Sequence, residues 1–128
     1  MIKLEFKVNC IEGEYCFVFD YENKNYIVNT NINGLTNVEE ELKTELINEF
    51  IYNLNEASIE KWDRHYDGVN KIEDGIKWSV KYFKDEFEYV SDGLESYEPY
   101  NFEYLIKAIK ICDKQIEYFG WWLWTKKN

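Results

Sequence analysis

The fold class is decided by residues 2–30, which read IKLEFKVNCIEGEYCFVFDYENKNYIVNT. Apolar side chains at positions 2, 4, 6 and 8 alternate with polar ones, which is the two-residue period of a strand with one buried face. Residues 15–21 and 26–30 are interpreted as two more strands, separated by turn-forming residues in ENKN. The stretch therefore predicts three consecutive strands.

A first helix is predicted over residues 36–57. Thr36 and Glu39 stand three positions apart, the spacing of a capping box at a helix N-terminus. Apolar residues then recur every three or four positions, as on one buried helix face: Val38, Leu42, Leu46, Phe50, Leu54 and Ala57. The acidic run 39–41 is placed in the first turn, where the helix dipole favours anions.

The second half of the chain predicts the same order of elements. Residues 59–66 are interpreted as a strand, and residues 75–83 and 87–90 as a hairpin around a KDE turn. A second helix follows Pro99, which suits a first helical position, and ends at Gly120. Its apolar stripe consists of Phe102, Leu105, Ile106, Ile109, Cys112, Ile116 and Phe119.

The resulting order is β-β-β-α-β-β-β-α, an α+β class in a single domain spanning residues 1–128. An antiparallel sheet with one apolar face needs a cover, so we expect the two helices to pack on one sheet or on two. The two halves are similar in pattern, which a duplication and convergent patterning explain equally well.

The charge balance limits the classes of partner. The 128 residues include 25 Asp and Glu against 15 Lys and Arg, which gives a formal net charge of −10. Nucleic acids and anionic membranes both require a basic footprint, so the sequence predicts neither partner. A basic protein partner is compatible with this charge, and so is a simple role of the acids in solubility.

The cysteines and the N-terminus indicate a compartment. Cys10, Cys16 and Cys112 form no CxxC pair, which is typical of free thiols in a reducing cytoplasm. A bridge between Cys10 and Cys16 across a hairpin is the alternative. The first residues, MIKLEFKVN, lack the apolar core of a signal peptide, and no apolar run has the ~20 residues that span a bilayer. We expect a cytoplasmic protein.

Catalytic chemistry has few candidate residues. His65 is the only histidine, and therefore the only imidazole base for a serine or cysteine nucleophile. On a strand, Asp63, His65 and Asp67 project from one face, as metal ligands or acid–base groups would. We favour a solvated strand edge, because the trio lacks the several His or Cys ligands of a typical zinc site. The sequence predicts no enzyme, no metal and no cofactor.

Two acidic surfaces are the candidate partner-binding sites. Glu41, Glu45 and Glu49 follow one another at four-residue intervals and form a ridge on the predicted first helix. Like charges at this spacing destabilise a helix by about 0.2–0.5 kcal/mol per pair, so an acidic ridge is consistent with a binding function. Glutamate is also a good helix former, which is the structural alternative.

The second acidic surface lies between Lys84 and Lys107, an interval with seven acids and no Lys or Arg. Tyrosines stand among these acids and offer amphipathic contact area beside the charge. The candidate residues in this run are Asp85, Glu86, Glu88, Tyr89, Asp92, Glu95 and Tyr97. The structural alternative is a solvated hairpin.

The segment WWLW, residues 121–124, is the most aromatic stretch of the chain. We interpret it as a strand or tail packed on the core. A partner surface is one alternative, because Trp is enriched at binding hot spots, and an interfacial membrane anchor is the other.

Residues 74–111 combine D-G-x-x-W, an alternating hairpin, a Gly, an aromatic–x–Pro element and an apolar helix. The pattern is carried by Asp74, Gly75, Trp78, Gly93, Tyr97, Pro99, Phe102 and Leu105. This stretch resembles a segment of small uncharacterised proteins of Gram-positive bacteria. The resemblance implies a shared piece of fold and transfers no catalytic residue.

Small size, acidity and many aromatic residues make the overall profile similar to that of bacterial toxin-immunity proteins. This similarity implies a cytoplasmic protein that binds and inhibits a basic protein partner. Two alternatives stay open. One is a nucleic-acid mimic that inhibits a defence or DNA-binding protein, and the other is a small-ligand-binding protein or enzyme with an aromatic pocket.

Overall fold

The computed structural model of the chain describes residues 2–66, 75–94 and 98–120. These residues form one seven-stranded sheet and two α-helices, which confirms the α+β class. The strands are β1 (Ile2–Cys10), β2 (Gly13–Asp20), β3 (Asn25–Thr30), β4 (Val38–Glu41), β5 (His65–Tyr66), β6 (Lys77–Lys84) and β7 (Phe87–Leu94). The helices are α1 (Thr44–Ala57) and α2 (Phe102–Cys112), followed by 3₁₀ helices at Ile59–Lys61 and Lys114–Phe119. The WWLW segment lies outside the described residues.

The strands lie side by side in the order β4-β3-β2-β1-β6-β7-β5. All neighbouring pairs are antiparallel except β5 and β7, which are parallel. The first three strands form a simple meander, whereas β5 lies outside the β6–β7 hairpin. The two halves of the chain therefore differ in topology, although both contribute strands to the same sheet.

The strand β4 corrects the prediction that residues 36–57 form one helix. Val38–Glu41 pairs with β3 through the register Asn25↔Glu41 to Val28↔Val38, and α1 begins only at Thr44. The predicted capping residue Thr36 instead donates its backbone N–H to Gln115 Oε1 at 2.7 Å. Glutamates suit an exposed edge strand, because charge discourages further strand pairing.

The predicted strand over residues 59–66 is also wrong for most of its length. Ser58 has a left-handed backbone, with φ of 53°, and ends α1. A 3₁₀ helix at Ile59–Lys61 follows, with Ile59 buried. Trp62 then donates its indole N–H to the Ala57 carbonyl at 2.7 Å. Within this stretch, only His65–Tyr66 pairs as a strand.

One face of the sheet is covered by both helices. Phe50 of α1 stacks on Phe19 of β2, with ring centroids 4.2 Å apart. Phe102 of α2 packs against Trp78 of β6 at 5.0 Å. The other apolar residues on this face of the sheet follow the predicted alternation and are buried: Leu4, Phe6, Val8, Tyr15, Phe17, Tyr26, Val28, Val80 and Tyr82.

α1 crosses the strands near one end of the sheet. Just before the helix, Leu42 donates its N–H to the Lys24 carbonyl at 2.7 Å, beside β3. Just after it, the Glu60 carboxylate lies 4.0 Å from Lys84 Nζ, at the end of β6. From β4 to β6 there are four strand spacings, roughly 19 Å. A helix of 14 residues spans roughly 21 Å, which matches this crossing.

The second predicted helix ends earlier than expected. Its stripe is buried as predicted at Phe102, Leu105, Ile106 and Ile109, but α2 stops at Cys112. Asp113 then accepts the backbone N–H of Gln115 at 3.3 Å and starts a 3₁₀ helix in which Ile116 and Phe119 are buried. Neither α-helix is long and apolar enough to cross a bilayer, within the described ranges.

Candidate functional site

The outward side of α1 combines carboxylates with an exposed aromatic ring. Glu45, Glu49, Tyr52 and Glu56 are spaced by four, three and four positions, so they share one helix face at 100° per residue. This side is opposite the buried one, which contains Ile47, Phe50, Leu54 and Ala57. Tyr52 is 63% exposed. We call these four residues the α1 outer face.

The negative charge of the α1 outer face is not balanced on its own helix. α1 contains no Lys or Arg, and its last turn has no basic residue. None of the ion pairs between residues of the described ranges includes Glu45, Glu49 or Glu56. Three carboxylates therefore share a helix face with a solvent-exposed tyrosine ring, and α1 itself contributes no cation.

The predicted ridge of Glu41, Glu45 and Glu49 is corrected at its first member. Glu41 is the last residue of β4 and pairs with Asn25, so its side chain lies on the sheet face that the helices do not cover. On the helix, Tyr52 and Glu56 continue the face that begins with Glu45 and Glu49. The spacing of these two residues was readable in the sequence, because the helix predicted over residues 36–57 already contained them.

The second predicted acidic surface lies at the tip of the β6–β7 hairpin, as predicted for its first three members. Asp85 and Glu86 form the turn between the strands, and Lys84 pairs with Phe87 to close it. Asp85 adopts a left-handed backbone, with φ of 57°. Asp85, Glu86 and Glu88 are all exposed, so this tip presents three carboxylates to solvent.

Two of the remaining predicted members of this surface, Tyr89 and Asp92, are engaged within the protein. Tyr89 is half-buried on the covered face, with its ring 6.3 Å from that of Tyr82. Asp92 lies 2.9 Å from His65 Nδ1 and is engaged with it. Glu95 and Tyr97 lie outside the described residues. The exposed aromatic residue of the hairpin is Phe87, at 66%, which the sequence analysis missed.

The hairpin tip and α1 belong to the same end of the sheet. Glu60, just beyond α1, reaches Lys84 beside the hairpin turn. Burial raises the pKa of Tyr82 to about 12, and the charges of Glu60 and Asp85 add to the effect, which places both carboxylates near this ring. Acids that are far apart in the sequence thus meet at one end of the molecule.

The uncovered sheet face is mixed in charge. Its central strands carry Lys3 and Lys7 on β1 and Lys77 and Lys81 on β6, directly beside acids such as Glu5. Lys7 Nζ lies 3.5 Å from Glu5, and Glu5 stands opposite Lys81 in the register. A basic partner is therefore better matched by the α1 outer face and the hairpin tip than by this face.

A groove of about 300 Å³ lies on the uncovered face, lined by Asn9, Lys77, Trp78, Ser79, Asp92, Gly93 and Leu94. This volume is at the lower end for a small-molecule site, and the groove is broad and open. This groove is consequently a poor fit to an enclosed small-molecule site.

The geometry around His65 does not form a nucleophilic triad. In the register, Ser79 stands opposite Asp92, and Asp92 stands opposite His65. The carboxylate thus lies between the hydroxyl and the imidazole, whereas a triad needs the imidazole between the other two. Of the predicted trio, Asp63 donates its backbone N–H to the Tyr66 hydroxyl, and Asp67 lies outside the described residues. Within the described residues, no cluster of three metal-ligating side chains is present.

The three cysteines are free thiols, as predicted. Burial raises the pKa of Cys112 to about 12, with a further contribution from the charge of Asp113. Burial also raises the pKa of Cys16. Both thiols are held in the protonated, weakly nucleophilic form at neutral pH.

No protein-family model matches this chain, and no curated protein matches it. The functional interpretation therefore rests on the geometry and charge of the chain itself.

Proposed function

We propose that this protein binds a basic protein partner and inhibits it, as an immunity protein does for a toxin. The observation that carries the proposal is the α1 outer face, where Glu45, Glu49 and Glu56 lie on the same side of the helix as an exposed Tyr52. Tyrosine is enriched at binding hot spots, since its ring contributes contact area and its hydroxyl a hydrogen bond. Carboxylates around it select a partner with lysines or arginines.

The charge of the whole chain supports the same class of partner. A net charge of −10 attracts a basic protein over roughly a Debye length, about 8 Å at physiological salt. Asp85, Glu86 and Glu88 extend the negative surface beyond α1 at the same end of the sheet. Such complementary charge accelerates association and restricts the choice of partner.

In the proposed mechanism, charge governs association with the partner and side-chain contact governs dissociation. The carboxylates of the α1 outer face steer the encounter and occupy a basic site on the partner. Tyr52 packs against the partner and slows dissociation. Inhibition follows when that basic site is one that the partner needs for its own substrate.

The test is a calorimetric titration of this protein with the product of the adjacent gene, at low and at high salt, combined with an assay of that product's activity. We expect tight binding that weakens with salt and suppresses the activity. Absence of binding at both salt concentrations would contradict the proposal. Binding to several unrelated DNA-binding proteins would instead favour the nucleic-acid mimic.

A further inference from the structure

The β7 strand is only partly covered on its outer side. β5 pairs with β7 at Asp92 and Gly93 and at no other residue. Between Phe87 and Ser91, no strand from the described ranges pairs with this side of β7. Among the described residues, this side of β7 thus has no strand partner immediately after the acidic hairpin turn, and the first contact with the segment before β5 is at Ser91, whose hydroxyl donates to the Asp63 carbonyl at 2.7 Å.

The direction of the backbone groups on this edge is fixed by one hydrogen bond. Asp92 donates its N–H to the Arg64 carbonyl at 2.9 Å, so the peptide groups of Asp92 point outward, away from β6. Backbone direction alternates along a strand, so the N–H and C=O groups of Glu88 and Val90 point outward as well. Equivalent groups on these two residues are roughly 6.8 Å apart.

This edge lacks two of the usual protections against strand addition. Natural edges are often blocked by lysine, proline, a bulge or a covering segment. β7 contains no lysine and no proline. The carboxylates of Glu86 and Glu88 lie at its open part, and Lys81 stands opposite Val90 on the inner neighbour β6. These carboxylates repel the same edge of a second copy of this chain and attract a cationic strand.

We propose that the outer edge of β7, at Glu88 and Val90, accepts an extended, lysine-containing segment of the partner as an added antiparallel strand. The proposal deepens the proposed function by naming how a basic partner is held. Main-chain hydrogen bonds provide the attachment, and the side chains select the sequence. The edge is continuous with the acidic hairpin tip, which lies at the same end of the sheet as α1.

The register specifies what the added strand contains. Glu88 and Val90 have their side chains on the uncovered face, and Phe87 and Tyr89 have theirs on the opposite face. In an antiparallel pair, residues that exchange hydrogen bonds also share a face. Lysines of the partner therefore lie on the uncovered face, next to Glu88, and its apolar residues lie against the exposed Phe87 ring.

The experiment uses an eight-residue peptide of alternating lysine and valine, capped at both ends, titrated into the isotopically labelled protein. We expect the amide resonances of Glu88 and Val90 to shift. A peptide methylated on the lysine backbone nitrogens cannot donate to β7 and should bind about tenfold more weakly. Methylation of the valine nitrogens, which point to solvent, should leave the affinity unchanged.

The matching change in the protein is Val90→Pro, which removes an outward N–H and leaves the hydrogen bonds to β6 intact. We expect the peptide to bind this variant about tenfold more weakly, with folding checked by circular dichroism. Equal binding of both methylated peptides to the natural protein would overturn the proposal, because only charge would then attract the peptide. A gene-neighbour protein that binds through α1 while the β7 amides stay unshifted would overturn it too, and would leave the proposed function standing.

Discussion

Tyr15 donates its hydroxyl to Asp113 at 2.8 Å inside the core, across 98 positions of sequence. Asp113 is only 6% exposed and also accepts from the side chain of Gln115 at 3.2 Å. The pair connects β2 to the segment after α2, so it fixes the point at which the chain leaves the helix. It is also a buried polar contact in a core of aliphatic and aromatic side chains.

Tyr15→Phe is expected to lower the free energy of unfolding by about 1–3 kcal/mol, because it removes a hydrogen bond and leaves a buried carboxylate underpaired. Urea denaturation at neutral pH measures this change. Tyr100→Phe, which removes a hydroxyl from a ring that is 96% exposed, is the matched control and should leave the free energy of unfolding nearly unchanged. A Tyr15→Phe protein as stable as the natural one would show that the hydrogen bond contributes nothing.

Alkaline pH is expected to destabilise the protein. Burial raises the pKa of Cys112 from an ordinary 9.0 to about 12, and that of Tyr82 from 10.0 to about 12. Burial and the bond to Asp113 raise the pKa of Tyr15 still further. The unfolded chain therefore releases these protons at a lower pH than the folded protein does. Because the folded state binds more protons, stability is fully present below about pH 9 and falls as pH rises toward 12.

Urea denaturation at a series of pH values between 8 and 11 tests this expectation. The denaturation midpoint should fall steadily over the series. A midpoint that stays constant up to pH 11 would contradict the burial of these groups.

Tyr52→Ala is expected to weaken binding to the partner while leaving the stability of the fold almost unchanged. The ring is 63% exposed, so its loss should change the free energy of unfolding by less than about 0.5 kcal/mol. Binding to the partner should weaken by about 2 kcal/mol or more, mainly through faster dissociation. Surface plasmon resonance measures both rate constants.

The matched control for Tyr52 is Tyr100→Ala, since Tyr100 is 96% exposed and lies before α2. We expect this control to bind with unchanged rate constants. Equal losses for the two variants would mean that Tyr52 is not a specific anchor.

The parts of the fold that were predictable are those in which local pattern and burial agree. The alternation in residues 2–30 and 77–84 corresponds to β1, β2, β3 and β6, because one face of each strand is covered by a helix. β4 was missed because its residues resemble the acidic first turn of a helix. Only pairing with β3 makes it a strand, and that pairing is not visible in the local sequence.

The candidate site was predictable to a similar extent. Glu45 and Glu49 were identified because their spacing lies within α1, whereas Tyr52 was missed because the ridge was defined by charge alone. Asp92 and His65 are 27 positions apart and meet because β5 pairs with β7. No local sequence motif predicts this contact. The inward orientation of Tyr89 was readable from its alternation with Glu88, which shows that strand parity should be applied before charge is interpreted.

The central claim is tested most directly by a charge-reversed pair, Glu45→Lys with Glu49→Lys, titrated against the gene-neighbour protein beside the natural chain. The control pair is Glu12→Lys with Glu14→Lys, which changes the net charge by the same amount. Glu12 and Glu14 lie at the β1–β2 turn, and the turn that leads to β3 is at the other end of β2. We predict that the α1 pair weakens binding at least tenfold, with slower association, and that the control pair has a small effect. Equal weakening by both pairs, or by neither, would contradict the assignment of the α1 outer face as the binding surface.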